Sequence, residues 1–224
     1  PKLLFCKREL ESAGRLVIEK TTDQHFRDLI CEVLPPNVEI IEVTRGTLCV
    51  FDTMFYCTPI AYLCNHAQYA SLNDIVIPEP TRIILRETML RIADKINREP
   101  KNNSSNSNIF ISFQGNRGPV NAFEIEEFFK DQGYSVIYPH KQSFEEKVKI
   151  FSNARNVVGV GSSGFTNLLF NNSNVNVLAF LNYERQFDTY LSQFSQQYPR
   201  LQISHLIGKR VGKVGINSSY YINI

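Results

Sequence analysis

Short apolar runs alternate with amphipathic stretches along the whole chain. In residues 1–100 the predicted elements are, in chain order, a strand at 16–19, a helix from 22 to about 34, a strand at 38–43, one or two strands within 48–57, and a helix from Pro80 that ends before Pro100. Apolar side chains recur at helical spacing in both helices, which predicts one inward face for each. These faces are Phe26, Leu29, Ile30 and Val33 on the first helix, and Leu85, Met89, Ile92 and Ile96 on the second.

The second half of the chain alternates strand and helix more regularly. Its predicted strands lie at 108–113, 135–139, 156–160, 175–181 and 201–207. Four helices are predicted between these strands. The first begins at a cap at Asn121 and stops at Gly133, and the second begins at a cap at Ser143. The third is short and ends near 170, and the fourth lies around 187–194. The strands are apolar on both faces, which is typical of a parallel sheet covered on both sides. Such sheets bind ligands at the carboxyl ends of their strands, so we expect functional residues there.

A polar, low-complexity stretch at 101–108 separates the two halves. Its sequence, KNNSSNSN, has nothing to bury and therefore predicts a linker. We expect two domains, at 1–100 and 109–224. The length of 224 residues suits one ordinary domain or two small ones.

The strand at 156–160 runs into a glycine-rich turn, Gly159-x-Gly161-x-x-Gly164, that precedes a helix. With Glu184 at the end of the next strand, the pattern is similar to the fingerprint of dinucleotide-binding folds. In those folds the turn follows the first strand, whereas here too little chain remains after the turn for the usual second half. An NAD- or SAM-dependent enzyme is therefore the second interpretation.

The turn itself suits a phosphate or a diphosphate. Small residues let the backbone approach a ligand, and the helix N-terminus offers N–H groups and the positive end of a dipole. Ser162, Ser163 and Thr166 add hydroxyl donors. The simpler alternative is a tight turn between strand and helix, with Ser162 or Ser163 as an ordinary N-cap.

The charge balance argues against a function that needs a strongly charged surface. Lys and Arg number 24 against 22 Asp and Glu, a net charge of +2, so nucleic acid is not expected as a partner. No apolar run approaches the roughly 20 residues that span a bilayer, so no membrane segment is expected in this chain. The sequence contains no Asp-x-Asp, so no metal site is expected.

The five cysteines lie in the first third of the chain, at Cys6, Cys31, Cys49, Cys57 and Cys64. An odd number without CxxC spacing argues against a disulfide framework and structural zinc. Buried free thiols favour a cytoplasmic location, with the secretory-pathway lumen as the alternative if an N-terminal anchor has been removed. Chance is the better explanation for the Asn-x-Ser sequons, which begin at Asn102, Asn103, Asn171 and Asn217.

Three blocks of the second half share their order and spacing with a known family. The first is Ile111-Ser112 followed by Arg117-x-x-x-Asn121-x-x-Glu124. The second is Gly133-Tyr134-x-Val136-Ile137-x-Pro139, followed by Ser143-Phe144-x-Glu146-x-Val148-x-Ile150-Phe151-x-x-Ala154. The third is Val158-Gly159-x-Gly161-Ser162-Ser163-Gly164-Phe165-Thr166-Asn167-x-Leu169-Phe170. Together they resemble glycosyltransferase family 61, and residues 16–43 fit the same family more loosely.

The resemblance implies an α/β fold with two Rossmann-like domains, a compact GT-B-type glycosyltransferase. The acceptor side would be the N-terminal domain at 1–100, and the nucleotide sugar would bind the C-terminal domain at 109–224. The implied reaction is inverting transfer of a sugar of the xylose or N-acetylglucosamine type from a UDP-sugar to a glycan hydroxyl. It needs no cofactor and no metal, because Arg, a helix dipole and hydroxyls would stabilise the leaving diphosphate. The implied partners are the nucleotide sugar and a glycan or glycoprotein acceptor.

The resemblance also implies which residues bind the nucleotide sugar. They are Arg117, Asn121, Glu124, Pro139, His140, Gly161, Ser162, Ser163, Gly164, Thr166 and Asn167. Several of these residues have a simpler alternative. Asn121-x-x-Glu124 is nearly a capping box, and His140 is a solvated loop residue in the plainest interpretation. Outside this set, Ser143-x-x-Glu146 is also most simply a capping box.

The sequence departs from the family pattern at several positions. Phe113 and Gly161 stand where the family has Arg and His, while His140 and Ala179 stand where it has Glu. These departures leave a non-catalytic nucleotide-sugar or glycan-binding module as an alternative. The base that takes the acceptor proton is expected in the first domain, where location alone suggests Asp23, His25, Asp52, His66 and Asp74.

Overall fold

The computed structural model describes residues 2–55, 79–98, 107–112, 118–182, 198, 200–212 and 219–224. The chain divides into two compact units, Pro1–Ile92 and Ala93–Ile224. The expected domains at 1–100 and 109–224 stay a prediction. Most of the predicted linker and the helix predicted around 187–194 lie outside the described residues.

The first unit contains a parallel strand–helix–strand motif. Its elements are α1 (Lys2–Phe5), α2 (Lys7–Ala13), β1 (Arg15–Glu19), α3 (Gln24–Val33), β2 (Glu39–Val43) and α4 (Glu79–Asn97), whose last residues belong to the second unit. β1 and β2 form a two-stranded parallel sheet, with Arg15 opposite Glu39. The inward face predicted for α4 is confirmed at Met89, Ile92 and Ile96, which are all buried.

Two expectations for the first unit are wrong. The described part of 48–57 forms no strand, and Leu48 and Val50 are each 88 % exposed there. A strand needs a paired neighbour for its backbone groups, and residues 48–55 are paired with no strand in the described part of the chain. On α3, Phe26 is 63 % exposed and no residue is fully buried, so the first unit covers less of that helix than its apolar stripe predicts.

The N-terminal helices α1 and α2 were not predicted. A signal for α2 is visible in hindsight at Gly14, which adopts a left-handed conformation at φ 68°. Its N–H donates to the carbonyl of Leu10, so this glycine ends the helix as a C-terminal stop.

The second unit is built on a six-stranded sheet. Its elements are β3 (Asn108–Ile111), α5 (Ala122–Asp131), β4 (Ser135–Ile137), α6 (Phe144–Asn153), β5 (Asn156–Val160), a 3₁₀ helix (Ser163–Phe170), β6 (Val175–Asn182), β7 (Leu201–Val211) and β8 (Ser219–Tyr221). The strand order is β4-β3-β5-β6-β7-β8, in which the first five strands are parallel and β8 is antiparallel to β7. The α/β class is thereby confirmed, whereas the arrangement of two Rossmann-like domains stays a prediction.

Both faces of the central strands β3, β5 and β6 are covered as predicted, whereas most of β7 is exposed. Alternate residues of a strand point to opposite faces, so neighbours such as Val157 and Val158 belong to different cores. One core brings α6 and the 3₁₀ helix onto the sheet through Phe151, Phe165 and Leu168. The opposite core consists of Phe110, Ile125, Phe129, Val158, Phe180, Tyr220 and Ile222.

The helices of the second unit begin and end at recognisable signals. Ser143 and Glu146 form the predicted capping box, each side chain accepting a hydrogen bond from the backbone N–H of the other residue. Gly133 ends α5 at φ 81°, and the N–H of Tyr134 donates to the carbonyl of Phe129, a Schellman-type stop.

The register of the central strands is reinforced by an asparagine ladder. Asn108, Asn156 and Asn176 lie opposite one another at the amino ends of β3, β5 and β6. The side chain of Asn176 donates to that of Asn156 at 2.9 Å, and Asn156 donates to Asn108 at 2.8 Å. Strands held at their amino ends in this way present their carboxyl ends at a common edge.

The strand order marks one place at that edge for a ligand. β3 is the first strand of the sheet in chain order, and it lies between β4 and β5, the next two strands. The chain order therefore reverses at β3, as in doubly wound folds of the order 2-1-3-4-5. Open α/β sheets bind ligands in the crevice that such a reversal leaves at the carboxyl ends of the strands.

Candidate functional site

The glycine-rich turn lies at the carboxyl end of β5, beside this reversal. A Cβ atom added to Gly159 would lie 2.7 Å from the carbonyl oxygen of Ile111, so the first glycine is required for the approach of β5 to β3. A Cβ on Gly164 would lie 3.1 Å from the Cγ2 atom of Ile111 and 3.8 Å from the Cγ atom of Pro139. The first and third glycines are therefore explained by packing, and the turn and Pro139 are brought together.

The start of the 3₁₀ helix is an ordinary cap in its internal bonding. The hydroxyl of Ser162 accepts a hydrogen bond from the N–H of Gly164 at 3.3 Å, which makes Ser162 the N-cap. Thr166 donates its hydroxyl to the carbonyl of Ser163 at 2.6 Å, and Asn167 donates its side-chain amide to the carbonyl of Gly164 at 2.9 Å. Both side chains would have to exchange these bonds in order to donate to a ligand.

Asn121 stands at the N-cap position of α5 as predicted, but its side chain makes no capping hydrogen bond, so the capping-box interpretation of Asn121-x-x-Glu124 is wrong. Its side chain is only 7 % exposed and pairs with the backbone of Ile222, donating to the carbonyl at 2.8 Å and accepting from the N–H at 3.2 Å. The N–H of Val120 also donates to the carbonyl of Tyr220 at 2.8 Å. The entrance to α5 is thus fastened to the C-terminal segment, while Glu124 is exposed.

The carboxyl end of β4 carries an aromatic and cationic turn. β4 ends at Ile137 rather than at 139 as predicted, because Pro139 begins a 3₁₀ turn that ends at Lys141. The ammonium of Lys141 lies 4.5 Å from the centre of the Tyr138 ring. The exposed ring of His140 packs edge-on against the same ring, with 6.3 Å between the two ring centres. His140 is therefore solvated, although it lies at the edge where a ligand is expected.

Three residues that were not predicted as site residues meet at this edge, and we name Ser112, Glu126 and Tyr138 the strand-end cluster. Ser112 and Tyr138 follow β3 and β4, and Glu126 reaches them from α5. One carboxylate oxygen of Glu126 accepts from the hydroxyl of Ser112, and the other accepts from that of Tyr138 at 2.8 Å. The bond to Glu126 and partial burial raise the pKa of the Tyr138 hydroxyl, which keeps it protonated and able to donate.

The described candidates for the base do not form a catalytic arrangement. Asp23 is the N-cap of α3, and its carboxylate accepts from the N–H of His25 at 2.9 Å. Asp52 is exposed. His66, Asp74 and Arg117 lie outside the described residues. The base therefore stays unassigned.

Within the described ranges, no three side chains of His, Cys, Asp or Glu lie together in a way that could hold a metal ion. None of the described helices is both long and apolar enough to cross a membrane. Among the described residues, Cys6, Cys31 and Cys49 form no disulfide bond, and Cys57 and Cys64 lie outside the described ranges. Cys31 is exposed and the other two are only partly buried, so the expectation of buried thiols is wrong for all three.

Asn171, the first residue of one sequon, has a structural role. It is 5 % exposed, and its side-chain nitrogen donates to the carbonyls of Phe151 and Ala154 at 2.7 and 2.9 Å. These bonds hold the end of α6 in place. A glycan on that nitrogen would break them, which agrees with the interpretation of this sequon as a chance occurrence.

Comparison with known proteins identifies the family. The model of the family described as Glycosyltransferase 61 matches residues 26–178, more than half of the chain. The match includes every residue that the resemblance implies for nucleotide-sugar binding, whereas Asp23 and His25 precede it. A search of curated proteins gives no significant match. On the family match, the chain belongs to glycosyltransferase family 61.

Proposed function

We propose that this family 61 glycosyltransferase is an inverting, metal-independent enzyme that uses a UDP-sugar. The transferred sugar is of the xylose or N-acetylglucosamine type, and the acceptor is a hydroxyl of a glycan or glycoprotein. In the reaction, the acceptor oxygen forms a bond to the anomeric carbon while the bond to the diphosphate oxygen breaks, and a base takes the acceptor proton. The diphosphate leaves with the electron pair of the broken bond.

The position of the glycine turn carries this proposal. The turn follows β5 at the reversal of strand order, inside the part of the chain that matches the family. Ser163 begins an eight-residue 3₁₀ helix there, in which the N–H of Gly164 donates to the hydroxyl of Ser162 and the N–H of Phe165 to the carbonyl of Ser162. A diphosphate at this point would replace the Ser162 hydroxyl at the N–H of Gly164 and would also bind the guanidinium of Arg117, which suits two phosphate oxygens.

Arg117 provides the first test of the donor site. Arg117→Ala is expected to abolish measurable UDP binding in calorimetry, because a charge-assisted pair with the diphosphate is lost. Arg155→Ala is the matched control: Arg155 is an exposed arginine just before β5, at the opposite edge of the same sheet. Equal UDP affinity in the Arg117 variant and the wild type would show that the site is wrongly assigned, and a loss of affinity on adding chelator would contradict metal independence.

The departures from the family pattern favour one second candidate, a non-catalytic nucleotide-sugar-binding module. Gly161 and Phe113 replace a His and an Arg of that pattern, so groups that could assist transfer are missing. A panel of UDP-sugars incubated with glycan acceptors separates the two functions. Product formation supports the enzyme, whereas UDP binding without turnover supports the module. Thermal stabilisation by NAD or SAM but not by UDP would contradict both.

A further inference from the structure

The strand-end cluster places a negative charge beside hydroxyl groups at the ligand edge of the sheet. Ser112 is 4 % exposed, while Glu126 and Tyr138 are half-buried, so the carboxylate is partly withdrawn from water. Withdrawing a carboxylate from water costs free energy that hydrogen bonds must offset. Both oxygens of Glu126 accept such a bond, and both donors are hydroxyls.

A carboxylate in this arrangement can accept further hydrogen bonds. Its two oxygens offer about four lone-pair sites, and the bonds to Ser112 and Tyr138 use two of them. The negative charge repels phosphate and attracts neutral donors such as alcohols. Hydroxyl groups are therefore among the ligand groups that Glu126 can accept from, and two adjacent hydroxyls fit its two oxygens.

The cluster lies at a suitable distance from the glycine turn. It joins the ends of β3 and β4, and the turn follows β5, which pairs with β3 on the other side. Neighbouring strands are about 4.8 Å apart, so the cluster and the turn are separated by one to two strand spacings, roughly 5–10 Å. In a nucleoside diphosphate the ribose directly follows the first phosphate, so a diphosphate at the turn brings the ribose hydroxyls to this distance.

We infer that Glu126 binds the 2′ and 3′ hydroxyls of the donor nucleotide's ribose, with Ser112 and Tyr138 holding its carboxylate in place. This inference rests on the proposed use of a nucleoside diphosphate sugar. It adds a binding residue that the sequence patterns do not indicate. It also explains why the strand-end cluster lies beside the reversal of strand order.

Deoxynucleotides test the assignment directly. The affinities of UDP, 2′-deoxy-UDP and 3′-deoxy-UDP are measured by calorimetry for the wild type and Glu126→Gln. In the wild type, loss of either hydroxyl is expected to weaken binding about tenfold, as for a hydrogen bond to a charged group. Glu126→Gln is expected to weaken UDP binding by a similar factor and to bind the deoxynucleotides nearly as well as the wild type does.

Two further variants keep the test decisive. Glu127→Gln removes a neighbouring carboxylate of α5 that pairs with Lys130, and it is expected to keep the wild-type affinities. Tyr138→Phe keeps the carboxylate but removes one of the hydroxyls that hold it, so it is expected to weaken UDP binding less than Glu126→Gln does. Thermal unfolding verifies that each variant is folded. If Glu126→Gln does not fold, the nucleotide affinities of Tyr138→Phe test the assignment in its place.

The outcomes separate this inference from the function on which it rests. If UDP binds the wild type but Glu126→Gln weakens UDP and the deoxynucleotides by the same factor, the ribose assignment is overturned and the donor site stands. If Glu126→Gln changes only the affinity difference between UDP and UDP-N-acetylglucosamine, the hydroxyls belong to the sugar and the ribose assignment is again overturned. If the wild type binds no UDP, the proposed function itself fails.

Discussion

Replacing Asn121 tests whether this residue serves the fold or the ligand. Its amide is buried at the entrance to α5 and makes two hydrogen bonds to the backbone of Ile222, at 2.8 and 3.2 Å. Family resemblance implies a role in nucleotide binding, whereas these bonds join α5 to the C-terminal segment. We expect Asn121→Ala to lower stability strongly and nucleotide affinity little.

The size of the effect follows from the groups that are left behind. A hydrogen bond contributes about 0.5–1.5 kcal/mol net to the free energy of unfolding. Where its loss leaves a buried partner unsatisfied, the loss of stability rises to about 1–3 kcal/mol. Ile222 is 1 % exposed, so water does not readily replace the missing amide. Together the two bonds give an expected loss of roughly 2–4 kcal/mol. For a chain of this size, each kcal/mol lowers the melting temperature by roughly 2–4 °C.

Circular dichroism is the appropriate assay because the chain contains no Trp. Urea unfolding gives the change in free energy, and calorimetry with UDP on the folded variant gives the affinity. The matched control is Asn153→Ala, which removes an asparagine that donates to the carbonyl of Lys149 from an exposed position. Such an exposed substitution is expected to change stability by less than about 0.5 kcal/mol. An Asn121 variant with wild-type stability and no UDP binding would refute the structural reasoning.

Three other substitutions or modifications have defined outcomes. Gly159→Ala should destabilise the second unit by about 1–3 kcal/mol, because the new methyl group overlaps the backbone of Ile111; an unchanged urea midpoint would contradict this packing. If the chain is expressed in a secretory host, mass spectrometry of the folded protein should find no glycan on Asn171, and a folded, glycosylated fraction would show that its amide bonds are dispensable. The bonds from Ser143 lower the pKa of Glu146, so their stabilisation is present above the ordinary carboxyl pKa and is lost as the pH falls through the lowered value. Glu146→Gln, whose side chain cannot ionise, should therefore destabilise the protein more at pH 7 than at pH 3, and an equal loss at both would contradict the linkage.

The central strands β3, β5 and β6 could be predicted because they are largely buried on both faces. β5 lies at 156–160 as the apolar run predicts, and β6 extends one residue beyond its predicted end. β7 continues to Val211 because its last residues pair with β8. β8 itself has only three residues. It contributes to the core through Tyr220, whose ring occupies the space that a side chain at position 208 would need and that Gly208 leaves open. That fit depends on two segments meeting in space, which periodicity along one segment does not reveal.

The candidate site could be predicted only in part, for the same reason. The glycine turn and the turn after β4 are visible in sequence because they follow strands. Glu126 is not, since nothing on α5 distinguishes it from Glu124 or Glu127. The parallel pairing of β3 with β4 brings Ser112 and Tyr138 to the two oxygens of its carboxylate. In the first unit, residues 48–55 have apolar side chains without the paired neighbour that a strand requires, so composition alone overpredicts strand there.

The glycine turn combines a packing requirement with a binding requirement, and the structure separates them. Gly159 and Gly164 are explained by their contacts with Ile111, and the N–H of Gly161 donates to the carbonyl of Phe180 at 2.9 Å. A glycine pattern is therefore weak support for a dinucleotide here, because two of its three positions serve the sheet. Phosphate binding would instead depend on the start of the 3₁₀ helix at Ser163 and on positive charge from outside the turn. Since Gly161 stands where the family pattern has His, neutralising the diphosphate would fall mainly to Arg117, which is why its removal is the sharpest test of the donor site.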